Sequence, residues 1–161
     1  MNTKCVFAGT FDPPTIGHKR VIETCLKMFD GVVVALMVNA GKTPYFTREQ
    51  RLAFLNKMYG GEPRVKIIAY DKTAADLLNE ENTVFYVRGI RNTVDFEYEN
   101  QDFFASKKIK SDIINIYIPA EQENLHISSS LVKNCIKFKK DYSAYVPEEI
   151  LPDIMRLTGE K

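Results

Sequence analysis

Apolar positions along the chain gather into short runs rich in β-branched residues, at Lys4 to Ala8, Val32 to Val38, Val65 to Ala69, Val84 to Val87 and Ile113 to Ile118. Runs this short suit buried strands better than helices. Between them the spacing becomes helical: Gly17 to Phe29 places Val21, Ile22, Cys25, Leu26 and Phe29 on one face, and Thr47 to Met58 carries Leu52, Leu55 and Met58. Thr47 followed by Gln50 is a capping box, in which each side chain satisfies the other's backbone N–H. Further helices are predicted at Ala74 to Glu80, Val94 to Lys107, Ser129 to Phe138 and Pro147 to Leu157, the last with Pro147 in its first turn. Strand and helix alternate, which requires parallel strands joined by right-handed crossovers. The expected architecture is α/β, a three-layer doubly wound parallel sheet in one domain over residues 1–161. Such sheets bind ligands beyond the carboxyl ends of their strands, where the strand order reverses.

Composition narrows the partners. The formal net charge is +1, so no long-range field favours nucleic acid or a membrane surface, and any anion must be bound locally. Lys137 to Lys140 reads as a solvated helix end. The three cysteines, Cys5, Cys25 and Cys135, are far apart in apolar surroundings; they suit neither a disulfide framework nor a zinc site, and they imply a reducing compartment. No apolar run approaches the roughly 20 residues that span a bilayer, and no cleavage site follows the first apolar stretch. A cytoplasmic protein is expected.

Candidate chemistry sits at three strand ends. After the first strand, Gly9-Thr10-Phe11-Asp12-Pro13-Pro14-Thr15-Ile16-Gly17-His18 brings glycines and a helix start together, a phosphate-binding arrangement. It has neither the lysine of a P-loop nor the spacing of a dinucleotide fingerprint. His18 on spacing alone fits a capping or partly buried histidine as well as a ligand. The fourth strand ends in Val87-Arg88-Gly89-Ile90-Arg91, which sets two guanidinium groups near one sheet edge, suited to phosphate oxygens or to surface ion pairs. After the fifth, Asn124 to Lys133 puts Ser128, Ser129 and Ser130 at a helix start, where hydroxyls and free N–H groups can hold an anion or merely cap.

Taken together, Thr15-Ile16-Gly17-His18 and Ile127-Ser128-Ser129-Ser130-Leu131-Val132-Lys133 resemble the two signatures of the nucleotidyltransferase superfamily, relatives of class I aminoacyl-tRNA synthetases. Within it, the chain resembles the phosphopantetheine adenylyltransferases over nearly its whole length. The resemblance runs through Gly9 to Pro13, Lys42 with Pro44, Phe46 and Thr47, then Arg88 to Arg91, Asp95-Phe96-Glu97-Tyr98-Glu99, and the serine run.

This resemblance implies a Rossmann-like fold and transfer of AMP from ATP to 4′-phosphopantetheine by direct displacement. It implies that Thr10 and His18 meet the reacting phosphates, that Lys42 and Arg88 hold the acceptor phosphate, and that Arg91 with Ser128, Ser129 and Ser130 holds the ATP phosphates. Phe11, Gly89, Ile90, Glu99, Asn124, Leu125, His126 and Ile127 would complete the ATP site, and Ala74 would touch the pantetheine arm. Mg2+ carried by ATP, feedback by coenzyme A and a homohexamer are implied as well. The superfamily signatures also fit a relative with another acceptor, nicotinate mononucleotide or a polyol phosphate, or a non-catalytic nucleotide-sensing module. The Arg88 to Arg91 and Asp95 to Glu99 blocks, with Lys42, favour phosphopantetheine.

Overall fold

The computed structural model describes residues 3–38, 41 and 43–159. Five parallel strands, β1 (Lys4–Gly9), β2 (Gly31–Met37), β3 (Val65–Tyr70), β4 (Phe85–Ile90) and β5 (Ile114–Pro119), form one sheet in the order β3-β2-β1-β4-β5. The chain winds outward from β1 to β3, then crosses back to β4 on the other side of β1. The reversal of strand order therefore falls between β1 and β4.

Strand pleating divides the core into two layers, because successive side chains point to opposite faces. Cys5, Phe7, Val32, Val34 and Leu36 pack beneath helices α1 (Ile16–Met28) and α2 (Arg48–Tyr59), through Val21, Ile22, Cys25 and Leu55. Val6, Val33, Ala35 and Tyr86 face the other way, against α3 (Ala74–Glu80) and α4 (Thr93–Lys107), through Ala75, Leu77, Leu78 and Phe103. The predicted sandwich of helix, sheet and helix is the observed one. The three cysteines are free, two of them buried.

A third cluster joins Phe46 and Phe54 to α5 (Ser129–Lys137) and α6 (Leu151–Thr158), around Val132, Ile136, Ile150 and Ile154. At eight residues α6 is too short to persist alone; full burial of Ile150 and Ile154 holds it, at about 2 kcal/mol for each side chain. The helix expected to begin at Pro147 begins at Leu151 instead, and the Pro147 carbonyl closes a turn with the Ile150 N–H at 3.1 Å. Pro152 explains the shift. In a helix running from Pro147 it would lie in the interior, without an N–H to give and with its ring against the preceding turn, so the helix must start next to it.

The fourth strand runs further than its apolar residues. β1 pairs with β4 only from Cys5↔Phe85 to Phe7↔Val87, whereas β4 stays paired with β5 as far as Ile90↔Pro119. Arg88, Gly89 and Ile90 are therefore strand residues, beyond the apolar run that ends at Val87. Beyond Val87 the two central strands separate, and the crevice opens there.

Candidate active site

A cavity of about 760 Å³ fills that crevice, walled by β1, β4, α4 and the first turns of α1 and α5. Thr10, His18, Ala74, Arg88, Gly89 and Ile90 all line it. Arg91, Glu99, Asn124 and Ile127 do so as well, with the serine run from Ser128 to Ser130. Phe11, Leu125 and His126 are not among its walls. Lys42 lies outside the described residues.

The capping reading of His18 is the observed one, and the residue also lines the cavity. Thr15 caps α1, and His18 is the third residue of a capping box: its backbone N–H meets Thr15 Oγ1 at 3.4 Å, and the Thr15 N–H donates to Nδ1 at 2.9 Å. A ring nitrogen that accepts an N–H cannot hold the proton of the neutral imidazole, so that proton resides on Nε2. Burial, helped by the charge of Arg91, pushes the His18 pKa down from 6.5 to about 4. At neutral pH the residue is an uncharged donor with its proton already placed.

Phe11 backs this ring. It adopts a positive φ of 48°, is fully buried, and meets His18 edge-on with centroids 4.9 Å apart. At Gly9 a Cβ would come within 3.2 Å of the Phe11 ring, close enough that the ring would have to shift.

Two buried charges hold the surrounding loops. Asp12 accepts the Tyr45 N–H at 2.8 Å and the Phe46 N–H at 2.9 Å, and faces Lys133 of α5 at 3.5 Å. Arg51, only 4% exposed, donates to the Thr10 carbonyl at 2.8 Å. Ser129 Oγ donates to the Pro13 carbonyl at 2.8 Å. The segments after β1 and before α2 are thus pinned to each other and to α5. Sequence reasoning missed Arg51; its signal was an arginine sharing a helix face with Leu55 and Met58.

The serines divide their duties. Ser128 caps α5 by accepting the Leu131 N–H, Ser129 is committed to Pro13, and Ser130 is exposed.

Both arginines are ion-paired to one stripe of acids on α4. Asp95, Glu99 and Asp102 follow helical spacing and face β4. Arg91 holds Asp95 through Nε at 2.9 Å and Nη2 at 3.2 Å, and its Nη1 reaches the Ile127 carbonyl at 3.5 Å. Arg88 bonds Glu99 through Nη1 and Asp102 through Nη2, while its guanidinium lies 4.1 Å from the centroid of the Tyr86 ring. Burial raises the Glu99 carboxyl above its usual range, against the pull of Arg88. The pleat accounts for the grouping: Arg88 shares its face with Tyr86 and so lies under α4, while Gly89 faces α1. A Cβ on Gly89 would come 3.1 Å from Val21 Cγ2. Gly89 thus lets β4 lie close to α1 and also lines the cavity, as does Glu99, which is bonded to Arg88.

Known proteins show the same arrangement of sequence. Residues 6–135 match the family model described as cytidylyltransferase-like. A phosphopantetheine adenylyltransferase of Nautilia profundicola is 36% identical over 154 residues, covering 96% of this chain and 100% of that protein. One from Campylobacter fetus is 37% identical, covering 96% of this chain and 97% of its own. The chain belongs to the phosphopantetheine adenylyltransferase family. Another relative of that name, from Phocaeicola vulgatus, is 37% identical over 90% of this chain and 95% of its own. A crystal structure from Vibrio parahaemolyticus, assigned as a nicotinate-nucleotide adenylyltransferase, superposes with a TM-score of 0.68 over 99% of this chain and 100% of its own. At 23% identity it shares the fold. The family makes this chain an adenylyltransferase, and its resemblance to phosphopantetheine enzymes outweighs that to relatives with other acceptors.

Proposed function

We propose that this chain transfers AMP from ATP to 4′-phosphopantetheine, forming dephospho-coenzyme A and pyrophosphate. The observation that carries the reading is His18 Nδ1 accepting the Thr15 N–H, which leaves Nε2 to carry the ring proton, in one cavity with Arg88 and Arg91. An oxygen of the acceptor phosphate attacks the α-phosphorus of ATP. That P–O bond forms as the bond to the β-phosphate oxygen breaks on the opposite side, and no enzyme side chain becomes covalently attached. His18 donates from Nε2 to an α-phosphate oxygen as negative charge builds. Thr10 lies beside the reacting phosphates; Arg88, with Lys42, aligns the acceptor; Arg91 and the serine run receive the departing pyrophosphate.

Mg2+ is proposed to arrive on the ATP phosphates, where it offsets their charge. Four acids line the described cavity, Asp95, Glu99, Asp102 and Glu121, and each is engaged by an arginine. Coenzyme A, which carries the same pantetheine arm, would compete for the acceptor half of the cavity.

Pyrophosphate release with ATP and Mg2+ tests the acceptor. Release that requires 4′-phosphopantetheine, and does not occur with nicotinate mononucleotide or glycerol 3-phosphate, is the expected result. Release with either of the others would retain the transfer and discard this acceptor.

A homohexamer and a cytoplasmic site of action belong to the same reading. α4 leaves Val94, Tyr98 and Phe104 each at least 60% exposed, which favours association. Among the described residues no helix is long and apolar enough to cross a membrane. Light scattering coupled to size exclusion should give about six times the 18.4 kDa chain mass, and a monomer would refute the assembly.

A further inference from the structure

Arg88 is a buried cation, 9% exposed, with more negative charge around it than it can balance. Glu99 and Asp102 both bond its guanidinium, and Tyr86 lies against its face. Its Nε, also buried, has no partner. The two acids are not equivalent. The Glu99 side chain is 21% exposed, whereas that of Asp102 is 50% exposed and has water to turn into.

An anion that approaches Arg88 meets a guanidinium whose Nη1 and Nη2 each already donate to a carboxylate, and it meets those two negative charges as well. One carboxylate is enough to orient an arginine; a second, at the cavity wall, occupies a donor that an incoming phosphate would use. From this geometry we propose that Asp102 competes with the acceptor phosphate for Arg88 and must yield its place to the acceptor. The idea rests on Arg88 as the acceptor-phosphate ligand.

The consequence is a threshold on affinity. A free phosphate must displace Asp102 with nothing to offset the cost, while an acceptor whose phosphate is joined to a longer arm brings further contacts along the cavity. The penalty is common to all anions, so it leaves their ratio unchanged and lowers the affinity of each. Asp102 weakens every anion at this position, and only a ligand with additional contacts binds well in spite of it.

Asp102→Asn keeps the shape and removes the charge. Calorimetry should show 4′-phosphopantetheine binding about tenfold more tightly to this variant than to the parent, the scale expected for removal of a partly exposed like charge. Pantetheine, which lacks the phosphate, should bind both alike, and ATP should bind both within about twofold, since a folded cavity is retained. Asp102→Glu, with its charge restored, should return toward the parent. Unchanged or weaker binding of 4′-phosphopantetheine to Asp102→Asn would overturn the proposal, as would equal gains for pantetheine. A wrong acceptor looks different: 4′-phosphopantetheine would bind none of the three proteins, while inorganic phosphate would still bind Asp102→Asn more tightly than the parent.

Discussion

His18→Ala lowers turnover by roughly 100-fold or more and leaves ATP affinity nearly unchanged, because a donor aimed at developing charge contributes far more in the transition state than in the ground state. Single-turnover kinetics with ATP binding measured separately checks both halves, and near-normal turnover would remove the assigned role. The residue also carries a signature in pH. Ring nitrogen NMR should report a neutral imidazole with its proton on Nε2 well below the ordinary pKa of 6.5, titrating only near 4. Between those values the unfolded chain binds a proton that the folded chain refuses. The neutral ring's contribution to stability is thus complete above 6.5 and is lost as the pH falls toward 4. Protonation at 6 to 7 would contradict the burial on which this reading depends.

Asp12→Ala costs about 3 kcal/mol of stability, a large share of the total for a domain of this size. The loss comes from two sources. Tyr45 and Phe46 lose the carboxylate that accepts their N–H groups, and Phe46, 2% exposed, has little water to turn to. Lys133 loses its counterion. Urea unfolding should show a lower midpoint with an unchanged slope. A change below about 1 kcal/mol would mean that the loops hold together without this residue. Asparagine is a poor substitute, since its amide offers one acceptor oxygen where two N–H groups must be met.

Local signals in the chain translated well into structure. Thr47 with Gln50 and the apolar face of α1 are short-range patterns, and they appear as the cap and the buried face they specify. The parallel sheet followed from alternation alone. What failed needed information from another strand or helix. The face that Arg88 takes was not legible from its own segment; pairing with β5 carries β4 past the apolar run that ends at Val87, and the pleat turns Arg88 toward α4. The stripe of Asp95, Glu99 and Asp102 was visible as helical spacing, but its partners depend on which face of β4 lies beneath it. Pro147 and Pro152 each satisfy a helix start, and only the exclusion of Pro152 from a helix interior decides between them. For His18 the chemical and capping readings were posed as alternatives, although the capping bond is what places the proton.

The early parting of β1 from β4 has a consequence for how such a protein changes over time. His18 and Thr10 are mounted on the β1 side of the gap, backed by Phe11 and pinned through Asp12 and Arg51. Arg88 and the acids that surround it are mounted on the β4 side, under α4. No ladder hydrogen bond crosses between the halves beyond Val87. On the proposed reading, His18 and Arg88 therefore stand on separate benches, and substitutions around one need not disturb the other. A lineage could rewrite the helix face around Arg88 while inheriting the setting of His18 intact.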